Sequence, residues 1–266
     1  MLSKRIFSSL ILVIVTVLSL EIGWLLALTA TSLIIAALVE FFDMVEKKGI
    51  YVYKYFGIAV GAIIPLSIYF KFELTKGWEL LFIVVLLVTM FLLQFRRRDN
   101  TGAVAGISTT LFGILYISWF FSFIVKIRYL QYGSSILACL ILITKSGDIG
   151  AYLVGTKWGR HALIPRISPK KSIEGTLGGF IFSILAGLAS KIFLPHFSYW
   201  HLVFLGCFLG IIGQFGDLSE SLIKRDCQVK DAGNIFPGLG GALDIIDSLL
   251  FTAPALYFYM SIILKR

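Results

Sequence analysis

Nine blocks of almost unbroken apolar sequence constrain this chain more than any motif in it. They fall at roughly 6–20, 22–42, 50–70, 78–95, 103–125, 129–150, 174–194, 199–216 and 243–263. A run of about 18 or more apolar residues can cross the hydrocarbon core of a bilayer, and backbone inside that core must close its own hydrogen bonds, as a helix does. Composition agrees: 58% of the 266 residues are hydrophobic and only 15% are charged, whereas a soluble domain is nearer half apolar and a quarter charged. The expected fold is all-α: a polytopic integral membrane protein of about nine transmembrane helices. The first block is short and the turn near Glu21 and Gly23 is tight, so eight is the alternative count. Lys4 and Arg5 before "IFSSLILVIVTVLSL" resemble the start of a secretory signal. Yet Glu21 and further apolar sequence follow, without a small-x-small cleavage site, so this block reads as the first span.

Charge predicts orientation. With the N-terminus inside and the spans alternating, seventeen Lys and Arg fall on the inner side and seven on the outer, a clear positive-inside bias. This places two polar loops, 156–173 and 217–242, on the cytoplasmic side and the C-terminus outside. The net charge of +9 therefore reflects loop residues that orient spans and meet anionic lipid heads, and it does not point to nucleic acid. Cys139, Cys207 and Cys227 are scattered and lack metal-ligand spacing. Of the three histidines, none has an evident ligand partner. The five tryptophans are read as an aromatic belt at span ends.

The halves differ. Residues 1–125 read as a transmembrane scaffold, and residues 126–266 as a catalytic transmembrane region that carries the two cytoplasmic loops. The placed Asp, Gly and Pro residues lie in the second half. In "GDLSESLIKR", a helix would put Asp217, Glu220, Ser221 and Lys224 on one face; in "LDIIDS" it would do the same for Asp244, Asp247 and Ser248. Ionised carboxylates at the mouth of a membrane helix are costly unless paired or bound to a cation. Three Asp from two helix ends would form an oxygen-rich cage that suits Mg²⁺. The same residues could instead pair with Lys224, Arg225 and Lys230 as an ion network that anchors the loop, and spacing fits both readings.

Between them lies "KDAGNIFPGLGG", with four glycines in twelve residues. Such loops expose N–H groups that can cradle phosphate, here around Gly238, Gly240 and Gly241. Lys230 could serve as a phosphate cation and Asp231 as a further oxygen ligand. Upstream, Asp148 closes an apolar block and "RISPKKSIEGTLGG" follows. Ser168 as N-cap and Pro169 at the first helical position would set Lys170 and Lys171 at a helix N-terminus, where the dipole favours anions. The plain alternative for these lysines is positive-inside anchoring. Glu174 opens the next span, whose Gly178 and Gly179 permit close helix packing.

These residues resemble the signature of the phosphatidate cytidylyltransferases, the CDP-diacylglycerol synthases. Ser221, Lys224, Arg225, Lys230, Asp231, Pro237, Gly238, Gly240, Gly241, Asp244 and Asp247 match that signature in order and spacing. Asp148, Ala151 and Tyr152 match its Asp-x-x-Ala-Tyr, and "SPKKSIEG" is similar to its Ser-Pro-x-Lys segment. The resemblance covers about the last 120 residues; the first half matches only as a multi-span scaffold. Leu239 stands where the family usually has His, and Ile245 where it usually has Arg.

The resemblance implies that CTP and phosphatidate are converted to CDP-diacylglycerol and pyrophosphate. It implies Mg²⁺ held by Asp217, Asp244 and Asp247, with Asp231 and Asp148 as further candidates. Lys171, Lys224, Arg225 and Lys230 would then hold phosphates, with Ser168, Ser172 and the 238–241 glycines shaping the nucleotide site. The expected location is a prokaryotic inner (plasma) membrane, the active site facing the cytoplasm among membrane lipids, with a homodimer suggested by the resemblance alone. The rivals are a CTP-dependent polyprenol kinase of the dolichol or phytol type, an ether-lipid cytidylyltransferase, and an ion-coupled transporter. A transporter would place its charges near the midplane in repeated halves, whereas here they gather toward one face.

Overall fold

A computed structural model describes residues 2–72, 78–236, 238 and 240–264. Each apolar block is helical. The first half contains α1 (Leu2–Glu21), α2 (Gly23–Lys47), α3 (Lys54–Tyr69), α4 (Trp78–Phe95) and a rod made of α5 (Ala103–Gly113), a π-helical turn (Ile114–Trp119) and α6 (Phe120–Arg128). The second half contains α7 (Gly133–Trp158), a hairpin of β1 (Ala162–Ile164) and β2 (Ser168–Ser172), α8 (Ile173–Ala189), α9 (Tyr199–Asp226) and α10 (Ala242–Ile263). Among the described residues six helices are long and apolar enough to cross a membrane: α2, the 103–128 rod, α7, α8 with its 3₁₀ extension, α9 and α10. The apolar stretches Phe7–Glu21, Lys54–Tyr69 and Glu79–Phe95 are shorter.

Two helices overrun their apolar blocks. α7 continues past Asp148 to Trp158, and α9 past Asp217 to Asp226. Asp148 and Asp217 of these segments line a cavity, while Lys224 pairs with Glu220 and Asp244, and Asp226 pairs with Lys48. The loops are correspondingly smaller than 156–173 and 217–242. The first holds the antiparallel hairpin, with Ala162 opposite Ser172 and Ile164 opposite Ser168. The second shrinks to 227–241. Ser168 is therefore not a helix cap, and Lys170 and Lys171 ride on a strand. The cap of α8 is Ser172, whose Oγ accepts the Gly175 N–H at 3.0 Å.

The second-half helices approach one another backbone to backbone. A β-carbon at Gly150 of α7 would meet Phe182 of α8 at 2.5 Å, and one at Gly178 would collide with Val154. Small residues at such crossings let membrane helices pack closely. The main buried cluster draws on both halves, from Leu26 and Phe42 of α2 through Leu140 of α7 to Leu250 and Met260 of α10. A smaller cluster joins Tyr53, Ile64, Met90 and Ile107 of the first half.

Candidate active site

α7, β2, α8, α9 and α10 enclose a cavity of about 570 Å³. Asp148 enters from α7, Lys170, Lys171 and Ser172 from the hairpin, Asp217 from α9, and Asp244 and Asp247 from the first turns of α10. With a 1.5 Å rise per residue, Asp148 and Asp217 lie roughly 15 and 14 Å below the ends of their helices. These two carboxylates therefore lie well inside their helices rather than at the helix ends, and Asp244 and Asp247 meet them from the start of α10. Gly216 makes this possible: a β-carbon there would meet the Asp247 carbonyl oxygen at 2.6 Å. The missing side chain lets α9 and α10 touch, so that Asp217 and Asp247 share one space.

The acids are partly matched by lysines. Lys171 Nζ lies 2.6 Å from Asp217 Oδ2, which ties the hairpin to α9, and 3.4 Å from Ser221 Oγ. Lys224 sits between Glu220 Oε2 at 2.5 Å and Asp244 Oδ1 at 2.6 Å. The helical face expected for Asp217, Glu220, Ser221 and Lys224 thus forms and carries ion pairs. Asp244 is committed on both oxygens, because Oδ2 accepts the N–H groups of Gly241 at 2.8 Å and Ala232 at 3.2 Å. Asp247 has no lysine or arginine within ion-pair distance among the described residues. It feels the negative charges of Asp217 and Asp148 and the positive charge of Lys145.

Other expected site residues lie elsewhere. Arg225 braces the hairpin turn, with Nε donating to the Ile167 carbonyl at 3.1 Å. Glu174 pins the base of the hairpin. It accepts the backbone N–H groups of Arg160 and His161 at 3.0 and 3.2 Å and meets His161 Nδ1 at 2.6 Å. Lys230 and Asp231 are exposed, and neither lines the cavity. The glycine loop does not offer the expected cradle at Gly240 and Gly241. The Gly240 N–H goes to the Phe236 carbonyl at 3.2 Å, and that of Gly241 goes to Asp244. Gly238 and Gly240 have φ of +84° and +108°, so their role is to shape the backbone. Pro237 and Leu239 lie outside the described residues, and Ile245 packs against the core.

Three residues escaped the sequence reading. Gln214 lines the cavity one turn before Asp217 and donates to the Thr176 carbonyl at 2.9 Å; its i, i+3 spacing to Asp217 was the available signal. Lys145 lies one turn before Asp148 on α7 and donates to its Oδ2 at 3.1 Å, and its i, i+3 spacing to Asp148 was the signal. Glu40, deep in α2, is 5% exposed and reaches the start of α10. A lone acid inside an apolar block was its signal.

Among the described residues no three acidic, histidine or cysteine side chains are already gathered at one point in the manner of a resident metal centre. The donor set nevertheless suits Mg²⁺. The cavity presents several carboxylates that repel one another, with no sulfur or imidazole among the residues that line it. Mg²⁺ binds through one or two carboxylates and completes its shell with water and substrate phosphate.

Known proteins are similar to this sequence. A profile of the cytidylyltransferase family matches residues 3–263, so the likeness runs through the first half as well as the last 120 residues. A phosphatidate cytidylyltransferase of Bacillus subtilis is 39% identical over 184 residues, 68% of this chain and 67% of its own length. One from Synechocystis is 31% identical over 271 aligned positions, covering 91% of this chain and 90% of the relative. One from Staphylococcus epidermidis reaches 47% over 116 residues, 43% of this chain and 45% of the relative. With a match spanning nearly its whole length, laid over a cavity of lysines and carboxylates, the chain belongs to the cytidylyltransferase family.

Proposed function

We propose that this protein converts CTP and phosphatidate to CDP-diacylglycerol and pyrophosphate. The observation that carries the reading is the single cavity in which Lys170 and Lys171 face Asp148, Asp217 and Asp247 in a chain of this family. A phosphate oxygen of phosphatidate attacks the α-phosphorus of CTP. The new P–O bond forms as the α–β anhydride bond breaks, and pyrophosphate carries away the electron pair. The nucleophile is already an anion, so the protein need not supply one. Repulsion between two anions and the charge on the leaving group set the barrier, and positioned cations lower both.

Lys170, Lys171 and Lys224 bind phosphate oxygens, and the Ser168 and Ser172 hydroxyls help shape the nucleotide site. Asp217, Asp247 and Asp244 would hold Mg²⁺, with Asp148 beside them. When bound, the metal would neutralise phosphate charge and orient the triphosphate. The lysines that now pair with Asp217 and Asp244 would be released toward the phosphates. Arg225, Glu174 and the glycine loop act by holding the hairpin and the start of α10.

The chain crosses the membrane nine times, with its N-terminus and the cavity facing the cytoplasm. Supporting this, the positive ends of several helices meet at one end of the bundle. Lys48 pairs with Asp226 at 2.5 Å, Lys54 with Asp43, and Arg97 lies over the Tyr51 ring. Residues 126–266 hold the cavity and 1–125 support it. A homodimer in a bacterial inner membrane completes the proposal.

The test is purified protein with labelled CTP, Mg²⁺ and phosphatidate. CDP-lipid and pyrophosphate in equal amounts are expected. CDP and a newly phosphorylated lipid would instead identify a kinase, and the absence of any lipid product would overturn the reading. Leu239→His assayed beside the wild type shows whether that departure limits the rate.

A further inference from the structure

Lys145 lies midway along α7, a position where an unpaired charge in a membrane span is costly. It is half-buried and does not line the cavity. Its Nζ rests among three oxygens: Asp148 Oδ2 at 3.1 Å, the Ile245 carbonyl at 3.1 Å and Ser248 Oγ at 3.2 Å. Ser248, fully buried, closes the cage, with Oγ also 3.2 Å from Asp148 Oδ2. Two of the three oxygens belong to the first turns of α10, the turns that carry Asp244 and Asp247. The ammonium is therefore joined at once to a cavity carboxylate and to the helix that presents two more.

We propose that Lys145 is a positioning residue, a built-in monovalent cation that clamps α7 to the start of α10. It holds Asp148 and Asp247 at their places on the cavity wall against their mutual repulsion. A packing role alone would need no charge there, since an apolar side chain would join the helices without one. The cage also has the make-up of a monovalent-cation site: a carboxylate, a carbonyl and a hydroxyl around one small charged group. The inference rests on the proposed CDP-lipid reaction at this cavity.

Lys145→Met should lower CDP-lipid formation roughly 10- to 100-fold, the usual effect of removing a group that orients ligating carboxylates. Ammonium chloride should restore part of the rate by filling the vacated cage. Tetramethylammonium chloride, which is too large, should not do so at the same ionic strength. Ammonium should also raise the thermal midpoint of Lys145→Met above its value in tetramethylammonium, a readout independent of turnover. Wild-type rate in Lys145→Met would overturn the inference, as would a loss of rate with neither activity nor midpoint answering to ammonium. Should Lys145→Met not fold, Ser248→Ala serves: a folded protein that is about 3- to 10-fold slower supports the cage, and an unchanged rate overturns it. Wild-type protein that makes no CDP-lipid would instead sink the functional reading, so the two failures are distinct.

Discussion

Glu40 accepts the backbone N–H groups of Ala242 and Leu243 at 3.0 Å each, across 202 and 203 residues of sequence. Helix N-termini leave their first N–H groups without partners inside the helix. α10 starts on Gly241, which has no side chain to cap it, so a carboxylate from α2 does so. The Glu40 carboxyl fills the space that β-carbons on Gly233 and Gly241 would need. The first half of the chain thus sets the start of the helix that bears Asp244 and Asp247.

Removing that carboxylate should therefore be felt at the cavity. Glu40→Ala leaves two buried N–H groups unpaired and should cost about 2–3 kcal/mol of stability, with a matching fall in CDP-lipid formation. Glu40→Gln keeps an acceptor oxygen and should lose only about 1 kcal/mol. Thermal unfolding in detergent beside the turnover assay checks both, and equal behaviour of the two variants would contradict the capping role.

Asp217→Asn should separate chemistry from folding. The Lys171–Asp217 pair is partly open to solvent, with side-chain exposures of 27% and 37%, so its loss should change stability by no more than about 1 kcal/mol. The rate should fall on the order of 10²-fold. A folded Asp217→Asn enzyme with wild-type turnover would remove Asp217 from the reaction.

Gly216→Ala tests the contact that brings α9 to α10. The added methyl group meets the Asp247 carbonyl oxygen at 2.6 Å, and such overpacking costs about 1–3 kcal/mol. A lower thermal midpoint and reduced turnover are expected. Gly23→Ala, where a β-carbon meets nothing within 4 Å, should be neutral or slightly stabilising.

Cys227 should be a sluggish thiol. Burial, reinforced by the nearby Asp226 charge, pushes its pKa up from the ordinary thiol value, and Lys48 offsets this only in part. A raised pKa leaves less thiolate at neutral pH, and thiolate is the reactive form. In a Cys139→Ser, Cys207→Ser protein, maleimide labelling should be slower than for a free thiol and should keep rising at pH values where an ordinary cysteine has levelled off. Labelling as fast as a free thiol at pH 7 would contradict the buried placement.

Helix positions were legible in the chain because lipid and core both demand apolar side chains in long runs. The helix ends were not, since α7 and α9 run on through polar sequence whose charges find a cavity or partners that largely come from neighbouring elements. The strand beneath Lys170 and Lys171 was likewise hidden, because Ser-Pro reads locally as a helix start while pairing with Ala162–Ile164 is not local. The helical face of Asp217, Glu220, Ser221 and Lys224 followed from its period alone.

By itself, then, the sequence determined a bundle of apolar helices with acids and lysines concentrated in its second half, since periodicity and hydrophobicity are properties of neighbouring residues. Only the tertiary structure decided which acids share one space and which residues stand behind them. It separated Asp217 and Asp247 from the outlying Asp231, and it assigned both Glu40 and Lys145 to the start of α10. The reason is geometric: charges act over a few ångströms, and only the folded chain brings residue 40 to 242 and residue 145 to 245.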